Sequence, residues 1–188
     1  MCRSAVSTPA EAAVPAPYAS VEQALAFAYG MEARVVCKIS SLRGYGTQGG
    51  DPYSAHAEAA MIVALVHRTV EGVVRAAIEA CHTVPSDAAL RSRKHHACWL
   101  LSHYAHRPGV DRYYVLDVVR QWAGLYRDHD DAWWAEHLGL SERRLRHLRF
   151  GRPERGERGI MGRLDRHYEV AVLRLHGPMT DRGIVSRY

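Results

Sequence analysis

The stretch Asp131-Ala132-Trp133-Trp134-Ala135-Glu136-His137-Leu138-Gly139-Leu140-Ser141-Glu142-Arg143-Arg144-Leu145-Arg146-His147-Leu148-Arg149-Phe150 decides the fold. Its pattern is two short amphipathic helices that meet at a steep angle across a tight turn. Such a crossing needs a small residue on the first helix where the second passes, and Ala135 stands there. The turn needs a residue that tolerates positive φ, and Gly139 supplies it. The space between the helices must be filled by apolar side chains. Trp134, Leu138, Leu140, Leu145 and Leu148 occupy the places that point into it. Ser141 is the expected N-cap of the second helix, its hydroxyl accepting from the amide of Arg143 or Arg144.

The outward face of the second helix then follows from helical geometry. With Leu145 and Leu148 inward, Glu142, Arg143, Arg146, His147 and Phe150 face out, and Arg144 and Arg149 lie on the flanks. The whole unit resembles the helix-turn-helix of DNA-binding proteins. That resemblance implies a second helix in the major groove of double-stranded DNA, where Arg pairs with guanine O6 and N7. The remaining arginines would meet phosphates and fix the register. Candidate DNA-binding residues are therefore Ser141, Glu142, Arg143, Arg144, Arg146, His147, Arg149 and Phe150. Arg152 and Arg155 join them from the polar loop 151–159, which is either a wing tracking the backbone or a plain solvated loop.

Outward from this unit the periodicity stays helical. Asp111 can cap a helix over 112–127, and Ile160, Leu164, Tyr168, Ala171 and Leu175 mark another over 160–176, stopped by Gly177-Pro178. Upstream, Asp51-Pro52 starts a long helical pattern reaching His82, with a break near Glu71-Gly72, and a further helix covers 87–105 before Pro108-Gly109. Ser20-Val21-Glu22-Gln23 fits a capping box for a helix over 21–34. Residues 38–52 hold Gly44, Gly46, Gly49 and Gly50 and are expected to be a long loop. No segment alternates with period two over a useful length. The expected fold class is all-α, a helical bundle with a C-terminal helix-turn-helix. The expected organisation is a flexible tail over 1–19, a helical region over 20–107 and a DNA-binding region over 108–188.

Composition and charge bound the function. Hydrophobic residues make up 47% of the 188 and charged residues 24%, as in a globular protein. No apolar run is long enough for a membrane span and no signal peptide is visible, so a cytoplasmic protein without membrane contact is expected. Four cysteines are too few for a disulfide scaffold. Residues 1–89 hold 6 basic and 8 acidic side chains, whereas residues 90–188 hold 19 and 12. The asymmetry points to a polyanionic partner for the second half. Arginine outnumbers lysine 23 to 2 and asparagine is absent, a bias that both GC-rich coding and phosphate or guanine contact would produce.

Two fragments resemble other chemistries. His56-Ala57-Glu58 resembles the zinc-binding helix start of nucleoside and tRNA deaminases, but no Pro-Cys-x-x-Cys follows. Cys81-His82 with His95-His96 and Cys98 offers zinc-type ligands at spacings that fit no familiar structural site. No phosphate loop, nucleophile elbow or paired carboxylates stand out, so neither catalysis nor a cofactor is expected.

The layout over residues 20–185 resembles small phage and prophage transcription regulators, namely late-gene antiterminators (Q-like) and sigma-region-4-like helix-turn-helix proteins. The shared features are the Gly-rich stretch, the helix beginning His56-Ala57-Glu58-Ala59-Ala60-Met61-Ile62, the helical middle, the unit from Trp133 to Phe150, and a last helix before Gly183-Ile184-Val185. The zinc-containing members carry a paired Cys-x-x-Cys that this chain lacks. The resemblance implies promoter-proximal DNA binding and contact with RNA polymerase in a bacterial host cell, and a homo-oligomer is a further expectation. Two other classes stay open: a phage terminase small subunit and a zinc-dependent deaminase-like enzyme.

Overall fold

A computed structural model describes residues 16–34 and 52–186. Residues 1–15 of the expected tail and most of the Gly-rich loop lie outside the described residues; residues 16–19 of that tail are described, with Tyr18 bridged to Val185 rather than free. Nearly everything described is helical, in eight α-helices: α1 (Val21–Arg34), α2 (Pro52–Thr69), α3 (Gly72–His82), α4 (Ala88–Ala105), α5 (Arg112–Trp122), α6 (Asp131–Leu138), α7 (Glu142–Phe150) and α8 (Ile160–Asp181). The all-α class is as expected.

Short polar side chains start α1 and α4 to α7, because the first amides of a helix have no partner within it. Asp87 accepts from the Leu90 amide at 2.8 Å, Asp111 from those of Tyr113 and Tyr114 at 2.8 and 3.0 Å, and Asp130 from that of Trp133 at 2.8 Å. At α1 the Ser20 hydroxyl accepts from the Gln23 amide, but Gln23 reaches back to the amide of Ala19, one residue earlier than a capping box requires.

One boundary follows the periodic pattern and two depart from it. The break at Glu71-Gly72 separates α2 from α3 as expected. α5 ends five residues before the expected 127, at Trp122, since Gly124 turns the chain with φ +72° and the Leu125 amide bonds back to the Arg120 carbonyl. α8 runs on through Gly177-Pro178 to Asp181. Proline inside a helix costs on the order of 3 kcal/mol. Burial of Leu175 and Met179, one turn apart on the same face, offsets that cost.

Between α7 and α8 the chain makes a small hairpin. β1 (Gly151–Arg152) and β2 (Glu157–Arg158) pair antiparallel, Gly151 opposite Arg158 and Arg152 opposite Glu157, around a 3-10 turn over Pro153–Arg155. The stretch 151–159, expected as a wing or a plain loop, is therefore a short hairpin. Its two-residue strands are too short to show a period.

The core has two apolar clusters joined by α3 and α8. One unites α1, α2, Val74 and Ile78 of α3, and Ala171, Leu175 and Met179 of α8 with Ile184 and Val185. The other unites α4, α5, Trp134, Leu145, Ala76, Ala77 and Ala80 of α3, and Ile160 and Leu164 of α8. Tyr18 pairs with Val185 in a single parallel bridge and ties the two ends of the described chain together. Each cluster draws on residues from both sides of 107/108.

Candidate nucleic-acid interface

α6 and α7 pack as the apolar spacing requires. Trp134 and Leu145 are buried, and Leu138, Leu140 and Leu148 pack partly buried against the same cluster. Gly139 adopts φ +61° and ψ +32° at the end of α6, the left-handed conformation the turn needs. Ser141 precedes α7 and accepts from the Arg144 amide at 3.3 Å.

The pair is held from behind by polar contacts that the sequence reading missed. Asp117 of α5 is buried in an otherwise apolar stripe. Its carboxylate accepts from Trp134 Nε1 at 2.8 Å, Arg127 Nε at 3.1 Å and the Asp128 amide at 2.8 Å. The Tyr114 hydroxyl donates to the Leu145 carbonyl at 3.0 Å, tying α5 to α7. Arg127 also pairs with Asp131 at 2.9 Å, and Arg149 pairs with the same carboxylate. Burial pushes the Asp131 pKa up, but the hydrogen bond from Arg127 and the charges of Arg149 and Arg127 outweigh it, so the carboxyl lies below its ordinary value. The buried Asp117 carboxylate with its three donors is costly to lose and holds α6 through Trp134, while Asp131 ties α6 to α7 through Arg149. The signal in the sequence was a lone Asp between Val115 and Val118.

The structure divides the candidate residues into three groups. Ser141, Glu142, Arg143, Arg144, Arg146 and Phe150 are exposed on or beside α7. His147 and Arg152 are half-buried and touch, Arg152 Nε donating to His147 Nδ1 at 3.3 Å, while Arg155 is exposed on the hairpin. Arg149 departs from its expected flank position: it is only 6% exposed and turned onto Asp131. Its charge is spent inside the fold, so it is a structural residue of the α6–α7 contact rather than part of the outer face.

A cleft of 580 Å³ opens between α7, the hairpin, the start of α8 and the turn after α4. Arg143, Arg144, Arg152 and Arg155 line it together with Arg107 and Arg163, which sequence reasoning did not single out. Two carboxylates, Glu154 and Glu157, also line it. Among the described residues none of these six arginines is paired with a carboxylate, whereas Arg93, Arg120, Arg127 and Arg149 all are.

The other fragments lie elsewhere. His56 and Glu58 sit near the start of α2. Cys98 is buried in the second cluster and Cys81 is half-buried; burial pushes their thiols up to about 11 and about 12. His95 and His96 are exposed on α4. Among the described residues no three His, Cys, Asp or Glu side chains gather as a metal ion would require. No described helix is long and apolar enough to cross a membrane.

Comparisons with protein-family models, with curated proteins and with solved structures return no match.

Proposed function

We propose that α6 and α7 form a helix-turn-helix whose second helix enters the major groove of double-stranded DNA, and that the chain is a sequence-specific transcription regulator of phage or prophage origin. The observation that carries the reading is the outer face of α7. Arg143, Arg144 and Arg146 are exposed there without a carboxylate partner among the described residues, on a helix fixed from behind by Leu145, Tyr114 and the Arg149–Asp131 pair. Rigid placement of guanidinium groups is what base readout demands.

The layout shared with late-gene antiterminators supports the finer reading, in which the protein binds near a promoter and acts on RNA polymerase in the host cytoplasm. The net-negative first half supplies the protein contact. RNA polymerase is its partner in that reading, and a second copy of the chain is the alternative.

The test begins with a duplex selected from a random pool. Arg143→Ala and Arg146→Ala each lose about 1–3 kcal/mol of affinity for the selected site while circular dichroism stays unchanged. Unchanged affinity in both variants removes the recognition-helix assignment. A terminator read-through assay with RNA polymerase checks the finer reading. Equal read-through with and without the protein on a template carrying the selected site rejects antitermination and leaves DNA binding standing.

A further inference from the structure

The arginine cleft contains two cations that no helix-turn-helix pattern predicts. Arg107 lies in the turn between α4 and α5, and Arg163 lies in the first turn of α8. Each is anchored through one N–H to a backbone carbonyl. Arg107 donates to Arg158 of the hairpin at 3.3 Å, and Arg163 donates to Ala105 at the end of α4 at 2.7 Å. Arg163 Nε is buried with no hydrogen-bond partner. Both guanidinium groups are therefore tethered to the backbone at the cleft, and Arg163 keeps a buried Nε–H without a partner among the described residues.

Like charges held together in this way are unfavourable in the absence of a counter-charge. Burial and then the neighbouring charge of Arg107 both lower the pKa of Arg163. Glu154 and Glu157 stand on the hairpin side of the cleft, but neither forms an ion pair with Arg107 or Arg163. A bound anion would relieve the repulsion and satisfy the free donors together.

The cleft is also continuous with the outer face of α7. Ser141, Arg143 and Arg144 belong to both. A chain of phosphates lying in the cleft would therefore have Arg143, Arg144, Arg107, Arg163 and Arg155 of the lining as contacts. This favours a phosphodiester backbone over a single small phosphate, because six lining arginines are more than one small phosphate can engage.

We propose that this cleft seats the phosphodiester backbone of one strand of the bound duplex, with Arg107 and Arg163 as phosphate ligands from outside the α6–α7 pair. The inference rests on the reading of α7 as a DNA-recognition helix and adds the strand-positioning half of the interface. Phosphate contacts fix register and orientation and act on every sequence alike.

The experiment measures duplex affinity against salt for the full chain and for Arg107→Gln, Arg155→Gln and the double variant. Each phosphate contact contributes about 0.9 to the slope of log affinity against log salt. Each single variant should lower the slope by about 0.9 and the double variant by about 1.8. The affinity loss should be equal on the selected duplex and on a scrambled one. Arg174→Gln, an exposed arginine of α8 outside the cleft, should keep the parent slope. Arg155 is exposed on the hairpin, so its variant reports on the cleft even if Arg107→Gln weakens the fold.

Parent slopes in both cleft variants overturn the inference. If Arg146→Ala still alters preference between selected and scrambled duplexes, the recognition-helix reading survives that result. The reverse outcome, lowered slopes with no effect of Arg146→Ala on preference, supports the cleft and removes the recognition helix. Inorganic pyrophosphate gives the last arm. If it raises the melting temperature of the parent but not of Arg107→Gln, while the duplex slopes are unchanged, the cleft is a small-phosphate site and the inference is overturned.

Discussion

His82 closes α3 with its ring stacked on Tyr168 of α8, and its Nε2 shares a 2.8 Å hydrogen bond with the Tyr168 hydroxyl. Burial is the main force on its ionisation. The charge of Glu22 works upward and that of Lys94 downward, and the net result is a pKa lowered from 6.5 to about 4. Folding thus favours the neutral ring. The contribution to stability is complete above the unfolded value of about 6.5 and is lost as pH falls through that window toward about 4. The full shift corresponds to about 3 kcal/mol. Between pH 7 and about pH 4.5 the parent should therefore lose about 2 kcal/mol more than His82→Gln, which keeps a hydrogen-bonding side chain. Denaturant midpoints of the two proteins at both pH values check this, and equal losses would contradict it. Residues of this kind mark the limit of sequence reading. The outward side chains of α7 were legible because Leu145 and Leu148 fix the face. Arg149 was not, because its partner Asp131 lies at the start of another helix and only the folded pair brings them together. Asp117 was equally hidden, since one carboxylate in an apolar stripe gives no sign of its donors Trp134 and Arg127.

Elements that obey local rules were readable, and those that obey tertiary demands were not. Pro178 should end a helix, yet α8 continues through it because both core clusters draw on its apolar face. The hairpin could not be told from a plain loop in the sequence for a different reason: its ladder is held by the close approach of two glycines. A methyl group on Gly159 would lie 2.3 Å from the Gly151 amide nitrogen and 2.4 Å from the Arg149 carbonyl oxygen, both backbone atoms that cannot step aside. Gly159→Ala should therefore pull β2 from β1 and disturb the end of α7, at a cost on the order of 2 kcal/mol or more. Gly162→Ala, one turn into α8, meets only the Arg158 side chain, at an ordinary 3.6 Å. It should be neutral or stabilising by about 0.5–1 kcal/mol, since alanine is the better helix former. Thermal melts rank the two. A Gly159→Ala melt at or above that of Gly162→Ala would show that the hairpin gives way without cost.

At the scale of the molecule, α8 decides whether the chain behaves as one unit or two. Its first turns, with Ile160 and Leu164, belong to the cluster beneath the candidate interface, and its last turns, with Leu175 and Met179, belong to the cluster of α1 and α2. α3 is shared in the same way, with Val74 and Ile78 on one side and Ala76, Ala77 and Ala80 on the other. A fragment beginning at Pro108 would leave Ala171, Leu175 and Met179 uncovered, so the basic half is not expected to fold alone. The test uses the distribution of tryptophan. All four, Trp99, Trp122, Trp133 and Trp134, lie on α4, α5 and α6, away from the cluster of α1 and α2. Leu175→Ala removes a fully buried side chain from that distant cluster. Such a truncation costs roughly 2–5 kcal/mol. If α8 couples the clusters, tryptophan fluorescence and far-ultraviolet circular dichroism fall together, at a melting temperature lowered by on the order of 10 °C. A fluorescence transition left at the parent temperature, with only part of the helical signal lost early, would mean two separately folding halves. The candidate interface would then stand on α4 to α7 and the start of α8 alone.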